Sequence, residues 1–554
     1  MTSSGRPPRE EPRRGTGLRM AALAHPLLFA AFPVVALLGA NIEMTHPSEA
    51  VRPVLAVGGA AMLSMLGLRV LLGGDWMKAA LGTTLVFVTG YAAGQVRLLF
   101  SPMGAAPTGP GSEIAAFVAW LGLAVVSLIL LHRSTRLPSA SHTILAVVAA
   151  AALAQPTARI VAHELQANRP WLLPVAASDP FSRRPQAEPG APLPDIYYII
   201  LDGYGRSDVL HDLYGLDETS FLRGLEADGF YIASNSRSNY AQTSLSFASA
   251  LNMRYLDDLA DIAGDDISQR EVARLIRFNE ATEILKGLGY SVTAFATGYR
   301  RAELASADTF FVAKPGGMSP FEALLLESSA LWGLRSLLDA GGGSLPYPGY
   351  SSYRDRIEAN VQELWRTPAQ PGPKFVFAHL LLPHPPFVFG AGGEPRQPDL
   401  PFRAADGDQF IGSDRDYVDG YRQQVAFAHH VVEVFLDRLT AAGGDSSIVI
   451  IQGDHGPGLR LDWSDPQATD TRERLSILNA IRAPGVDPGV WHAALTPVNT
   501  FRLLFDEMFG AAFPRLPDRS FFSSWRSPYD FIEYEPDDGS AAIPSKRPSQ
   551  EASR

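Results

Sequence analysis

"DIYYIILDGYGR", residues 195–206, holds an unbroken β-branched and aromatic run, Ile196–Leu201, that stops on Asp202-Gly203. An apolar run of that length closed by a turn suits a strand buried on both faces, the kind found in parallel sheets. Three later runs have the same character: "YSVTAFA" (290–296), "KFVFAHLLL" (374–382) and "SSIVIIQ" (446–452). Helical patterns separate them, among them "NEATEILKGLG" (279–289), the long "DYVDGYRQQVAFAHHVVEVFLDRLTAAG" (416–443) and "TPVNTFRLLFDEMFG" (496–510). Strand and helix in alternation predict an α/β domain, with a mainly parallel central sheet flanked by helices.

Reactive residues of such a sheet gather just past the C-terminal ends of its strands. Asp202 follows the first run, His384 follows the third in "LPHPPF", and Asp454-His455 follow the fourth in "GDHGPG". Taken singly each has a plain reading: Asp-Gly is a common turn, and His384 suits a packed loop histidine. Together they bring oxygen and imidazole groups from three strand ends to one edge of the sheet. The chain has no cysteine, so disulfides, thiolate metal sites and cysteine nucleophiles are excluded, and any metal must sit on oxygen and nitrogen.

Everything before residue 163 is far more apolar. Five stretches, about 20–40, 53–72, 79–96, 114–131 and 144–161, approach the roughly 20 residues that cross a bilayer. The first runs past the apolar region of a cleaved signal peptide, and no A-x-A site follows it, so it is expected to stay. Arg6, Arg9, Arg13, Arg14 and Arg19 precede the first stretch, and Arg133 and Arg136 lie in the loop before the fifth. The basic-inside bias then predicts five crossings, with the N-terminus in the cytoplasm and everything after 162 outside. Gln155, Pro156 and Arg159 interrupt the fifth stretch, and a failed crossing there would leave the later domain in the cytoplasm. The domain plan is thus a five-helix anchor (1–162), a Pro/Ala-rich linker (163–194), a catalytic domain (195–535) and a Pro/Ser-rich disordered tail (536–554). With 47 basic and 58 acidic side chains the net charge is −11, which argues against nucleic acid as a partner.

Four blocks, "YYIILDGYGR" (197–206), "SNYAQTSLSFASALN" (238–252), "HLLLPHPPF" (379–387) and "GDHGPG" (453–458), occur in that order. In them the chain resembles the membrane-anchored sulfatase-domain proteins of the alkaline phosphatase superfamily, such as lipoteichoic acid synthases and phosphoethanolamine transferases. The resemblance implies that Asp202, Thr243, Asp454 and His455 bind one divalent metal ion, Mn²⁺, Zn²⁺ or Mg²⁺. It also implies that Thr243 is both ligand and nucleophile, forming a phosphothreonine. The expected reaction is phosphoryl-group transfer or phosphodiester cleavage on a lipid- or glycan-linked phosphate of the envelope. The enzyme would sit in a bacterial cytoplasmic (inner) membrane with its catalytic domain on the outer side. A hydrolase without transferase activity, and a non-catalytic envelope-assembly protein of the same fold, are the alternatives.

His384 is the candidate for stabilising the transferred group or protonating a leaving oxygen. His379, inside its strand, reads as a packing residue, as do His429 and His430 within the long helix; Asn239, Tyr240 and Arg460 suit either a pocket or a structural role. Thr243-Ser244-Leu245-Ser246-Phe247 lacks the C/S-x-P-x-R pattern of formylglycine sulfatases, so sulfate-ester hydrolysis by that route is disfavoured. No Asp-x-x-x-His pair of two-metal phosphatases precedes Asp454, and no histidine follows Gly456 for 35 residues, so the second half of the phosphoethanolamine transferase motif is missing. Ser244 and Ser246 read as first-turn helix residues.

Overall fold

The computed structural model describes residues 13–99, 110–134, 140–167, 185–187, 192–259, 268–314, 316–341 and 346–534. Most of the expected linker and the expected tail lie outside these residues. The chain forms two compact units, one of residues 1–166 with 318–349 and one of residues 167–317 with 350–554.

In the first unit five helices, α1 (Arg13–Ala40), α2 (Val51–Leu71), α3 (Trp76–Leu99), α4 (Pro110–Arg133) and α5 (Ala140–Ala167), are each long and apolar enough to cross a membrane. α5 runs unbroken through Pro156, although Pro156 removes one backbone donor from its ladder. Two shorter helices, Pro320–Glu327 and Leu331–Ala340, complete this unit. The sequence plan places residues 318–349 inside a continuous catalytic domain; in the structure they group with the apolar helices.

The second unit is built on a seven-stranded sheet: β1 (Ile196–Leu201), β2 (Tyr231–Ile232), β3 (Ser291–Phe295), β4 (Thr309–Phe311), β5 (Lys374–Leu380), β6 (Ile448–Gly453) and β7 (Asn479–Arg482). Their order is β2-β7-β6-β1-β5-β3-β4, parallel except where β7 meets β6 and β2. The four strands read from the sequence are the four central ones. β1 lies between β5 and β6 and every one of its residues is buried. On one face Tyr198 and Ile200 join Phe375, Phe377, Ile448 and Ile450 in a cluster with the helices Thr243–Asn252 and Pro497–Phe509. On the other, Tyr197 meets Phe435 of the helix Asp414–Ala441 edge to face, 5.1 Å between ring centroids. α8 is Thr243–Asn252; it follows α6 (Ser207–Tyr214) and α7 (Thr219–Ala227).

The register decides what happens at the strand ends. Leu201 of β1 is level with Leu380 of β5 and with Gly453 of β6. One residue further on, Asp202 and Asp454 therefore leave the sheet side by side.

Candidate active site

Gly203 takes the left-handed conformation, φ +74°, that a side chain disfavours, and its N–H donates to Asp454 Oδ1 at 2.9 Å. That bond aims the second Asp454 oxygen, Oδ2, into the interior. The two glycines of "GDHG" are required by close backbone approach: a Cβ on Gly453 would lie 2.4 Å from the Tyr204 carbonyl oxygen, and one on Gly456 2.0 Å from that of Glu473.

α8 brings up the opposite wall. Ser246 Oγ donates to the Asp454 carbonyl at 2.8 Å, and Ser238 Oγ donates to the same oxygen at 2.6 Å. Ser244 Oγ donates to Gln269, and Gln269 in turn donates to Gln242. Ser246 thus fixes the helix start against the end of β6, and Ser244 ties it to Gln269. Thr243, the first residue of α8, is left pointing at His455, with Oγ1 3.0 Å from Nε2. The His455 Nδ1 lies 2.9 Å from the Gly456 carbonyl oxygen, which can only accept, so Nδ1 carries the proton and Nε2 presents its lone pair. Burial, seconded by the positive charge of Arg474, pushes His455 below its ordinary range and keeps the ring neutral near pH 7.

Around that one nitrogen three oxygens converge: Thr243 Oγ1 at 3.0 Å, Asp454 Oδ2 at 3.3 Å and Asp202 Oδ1 at 3.7 Å. Both carboxylate oxygens are buried and have no hydrogen-bond partner among the described residues. Two acceptor-only oxygens facing each other without a donor is a costly arrangement unless a cation joins them. Zinc bound tetrahedrally at about 2.0–2.1 Å holds its ligands about 3.3–3.4 Å apart, and the three observed separations bracket that value. The donor set, two carboxylates, a hydroxyl and a neutral imidazole, fits a divalent cation.

His379 is the residue that sequence reasoning misplaced. Its Nε2 lies 2.9 Å from Asp202 Oδ2 and, with Asp202 and Asp454, it forms a fully buried group with ligand atoms within 4.8 Å of one another that could hold a metal. The signal was its parity: residues 375, 377 and 379 share a face of β5, and His379 meets Phe247 of α8 edge to face, 4.8 Å between centroids. Burial alone would push the Asp202 carboxyl up; His384, His379 and His455 around it outweigh burial and hold it below the ordinary carboxylate range.

His384 reaches the same place. Its ring centroid is 6.4 Å from that of His455, it is half-buried, and Nδ1 donates to the Pro385 carbonyl. Thr243 keeps 9% of its surface exposed while Asp202 keeps 3% and Asp454 and His455 1% each, so the hydroxyl is the member of the group that a substrate can reach.

Arg474 braces the whole arrangement. It is fully buried, donates from Nε to the Ala241 carbonyl at 3.0 Å, and from one terminal nitrogen to Asp406 at 2.7 Å and the Gly456 carbonyl at 3.1 Å. One guanidinium therefore ties the loop before Thr243 to the loop after His455. The remaining candidates have structural partners: Asn239 bonds to Val498 and Arg519, Tyr240 accepts from Leu256, and Arg460 pairs with Asp470 at 3.5 Å. His429 stacks on Phe221 and His492 pairs with Asp518.

A family model described as Sulfatase matches residues 194–475, just over half of the chain. The chain belongs to the sulfatase family. Among solved structures it is similar to the integral membrane protein lipooligosaccharide phosphoethanolamine transferase A (EptA) from Neisseria meningitidis, at 12% identity and TM-score 0.41, covering 89% of this chain and 97% of that one. It is similar to the periplasmic domain of EptC from Escherichia coli in complex with Zn, at 11% identity and TM-score 0.40, over 63% of this chain and 95% of that one. It is also similar to BT1596, a 2-O GAG sulfatase, at 14% identity and TM-score 0.38, over 59% and 77%. No curated protein sequence matches it.

Proposed function

We propose that this chain is a membrane-anchored, metal-dependent phosphoryl-group transferase acting on a lipid- or glycan-linked phosphate through Thr243. The observation that carries the reading is the Thr243 hydroxyl at a helix start, 3.0 Å from the unprotonated His455 nitrogen and beside two carboxylate oxygens without donors. Asp202, Asp454, His455 and Thr243 would hold the ion, with His379 orienting Asp202. The bound cation would favour the Thr243 alkoxide and offset the phosphate's charge.

The chain's own groups account for the rest. Thr243 loses its hydroxyl proton to water at the open face of the site, and Oγ1 forms a bond to phosphorus as the bond from phosphorus to the leaving alcohol breaks; the product is phosphothreonine. No side chain caps the first turn of α8, so its free N–H groups and the positive end of the helix face the phosphoryl oxygens. His384, with Nδ1 engaged by a carbonyl, delivers a proton from Nε2 to the leaving oxygen. An acceptor hydroxyl then takes the phosphoryl group from Thr243. The five apolar helices supply a reason for a lipid-linked substrate, since they keep the chain at a bilayer. The basic residues before α1 and before α5 orient the catalytic unit to the outer side of a bacterial inner membrane.

Asp454→Asn tests the reading. Asparagine keeps the acceptor for Gly203 and replaces the orphaned oxygen with an NH₂ that cannot bind a cation. Purified wild-type chain is expected to hold about one divalent ion, and the variant far less, measured by plasma mass spectrometry. Cells making the variant are expected to lose the same envelope headgroup as cells lacking the protein, read by lipid and glycan mass spectrometry. Unchanged headgroups in both would defeat the proposal.

A further inference from the structure

The segment 318–349 leaves the catalytic unit after Gly317 and rejoins it at Tyr350, and in between it belongs to the apolar helical unit. Its two helices pack on one end of the five-helix bundle. Phe321 of Pro320–Glu327 is buried in a cluster with Val34, Leu38, Ile42 and Ala50, and Glu322 pairs with Arg52. The turn before the second helix seats on a Gly-x-x-x-Gly pair of α3: Ala330 N–H donates to the Gly90 carbonyl at 2.9 Å, and a Cβ on Gly94 would fall 2.1 Å from the Ser328 carbonyl oxygen. Such pairs in spanning helices allow close backbone approach, and here the space is filled by the chain's own later segment. In Leu331–Ala340, Trp332 Nε1 donates to Glu113 of α4 at 3.2 Å, Ser336 donates to the same carboxylate, and Gly333 closes on Phe117.

These contacts fix a depth. Gly90 lies six residues inside the α3 span, which ends at Val96, and Phe117 six residues inside the α4 span, which begins at Gly111. At 1.5 Å per residue Gly90 is about 9 Å inside the end of the α3 span, and Phe117, three residues past Ile114 where the apolar run of α4 begins, about 4.5 Å inside it. On the same helix Leu331, Leu334, Leu337 and Leu338 stand 48, 38, 42 and 49% exposed. With 100° per residue they share an arc of about 120° that carries no charge, while Arg335 and Asp339 pair with each other off that arc, at 3.3 Å.

We infer that Leu331–Ala340 is a membrane-embedded helix whose leucine face is covered by the acyl chains of the leaflet at that end of the bundle. The occupant follows from continuity. Val88 and Val96 of α3 and Val118 and Leu121 of α4, which flank the contact residues in sequence, stand 40, 52, 56 and 46% exposed on helices long and apolar enough to cross a membrane, and the leucines add to that apolar surface. Charged side chains would be needed on that arc if water covered it.

The absence of cysteine makes the test direct. Leu331→Cys, Leu334→Cys and Leu338→Cys, each at an exposed position that leaves the Glu113 contacts in place, are labelled with a nitroxide in the full-length chain. The chain is reconstituted in phosphatidylethanolamine/phosphatidylglycerol vesicles. Val126→Cys on the exposed face of α4 and Ile532→Cys in the catalytic unit, 54 and 47% exposed, are the references. The result expected is that dissolved oxygen relaxes the three hairpin labels more than an aqueous nickel chelate does, as at Val126, with the order reversed at Ile532. Hairpin labels as open to nickel as Ile532 would overturn the inference. So would labels closed to both reagents, which would mean a protein partner, or label–label broadening that vanishes on dilution with unlabelled chain, which would mean a second copy.

Discussion

Thr243→Ala is expected to lower turnover of a phosphodiester such as bis(p-nitrophenyl) phosphate by about 10⁴-fold or more, the scale seen when a covalent nucleophile is removed. The side chain is small, and among the described residues its hydrogen-bond partner is His455. His455 keeps its bond to the Gly456 carbonyl in the variant, so the loss would be one of chemistry rather than of fold. Thr243→Ser retains the oxygen but not the methyl that restricts its rotamer, and is expected to stay within about 10²-fold of wild type. Mass spectrometry of the peptide containing residue 243 after rapid acid quench should find a phosphorylated form in wild type and none in the alanine variant. Turnover of Thr243→Ala above a hundredth of the wild-type rate would rule out Thr243 as nucleophile.

Arg474→Met is expected to cost about 3–5 kcal/mol in stability, because it leaves the buried Asp406 carboxylate without its counter-charge and the Ala241 carbonyl without its donor. Burial pushes the Asp406 carboxyl up, and Arg474, with His384 and the Tyr417 hydroxyl, outweighs burial and holds it below its ordinary value. A depressed carboxylate contributes stability that is present above its unfolded value and lost as pH falls through the folded one. Without Arg474, burial would win and the carboxyl would titrate high, so the variant is penalised most near neutrality. The gap between wild type and variant should therefore narrow as pH falls from 7 towards about 4, the ordinary aspartate value, because the variant's raised carboxyl takes up its proton over that range. Thermal unfolding of both chains in detergent from pH 7 to pH 4 reads this, and a gap independent of pH would show that Asp406 is not the group left unpaired.

The centre of the fold was legible because β1, β5 and β6 are buried on both faces, which leaves unbroken apolar runs in the sequence. The edges were not. β2, β4 and β7 have two, three and four residues, too few to set a period, and the antiparallel β7, "NAIR", carries no apolar run at all. In the site, Asp202, His384 and Asp454-His455 were found because they follow strands. Thr243 was found only through resemblance, since what singles it out is a nitrogen 212 residues away. Arg474 was invisible: within "TRERLSIL" it reads as one of several solvated charges, yet among the described residues it is the largest side chain fully enclosed by the fold. The glycines of α3 pass for ordinary span residues, because their neighbours arrive from a segment more than 200 residues later.

The excursion of residues 318–349 changes what shedding from the membrane would take. A protease cutting between the spans and Asp195 would remove five helices and still leave Pro320–Glu327 and Leu331–Ala340 on the released fragment. That fragment would carry Phe321, Trp332 and Gly333 stripped of the surface they were shaped for, and a row of leucines besides. It would partition back to the bilayer or aggregate, so a freely diffusing form of this enzyme requires a second excision, between Gly317 and Tyr350.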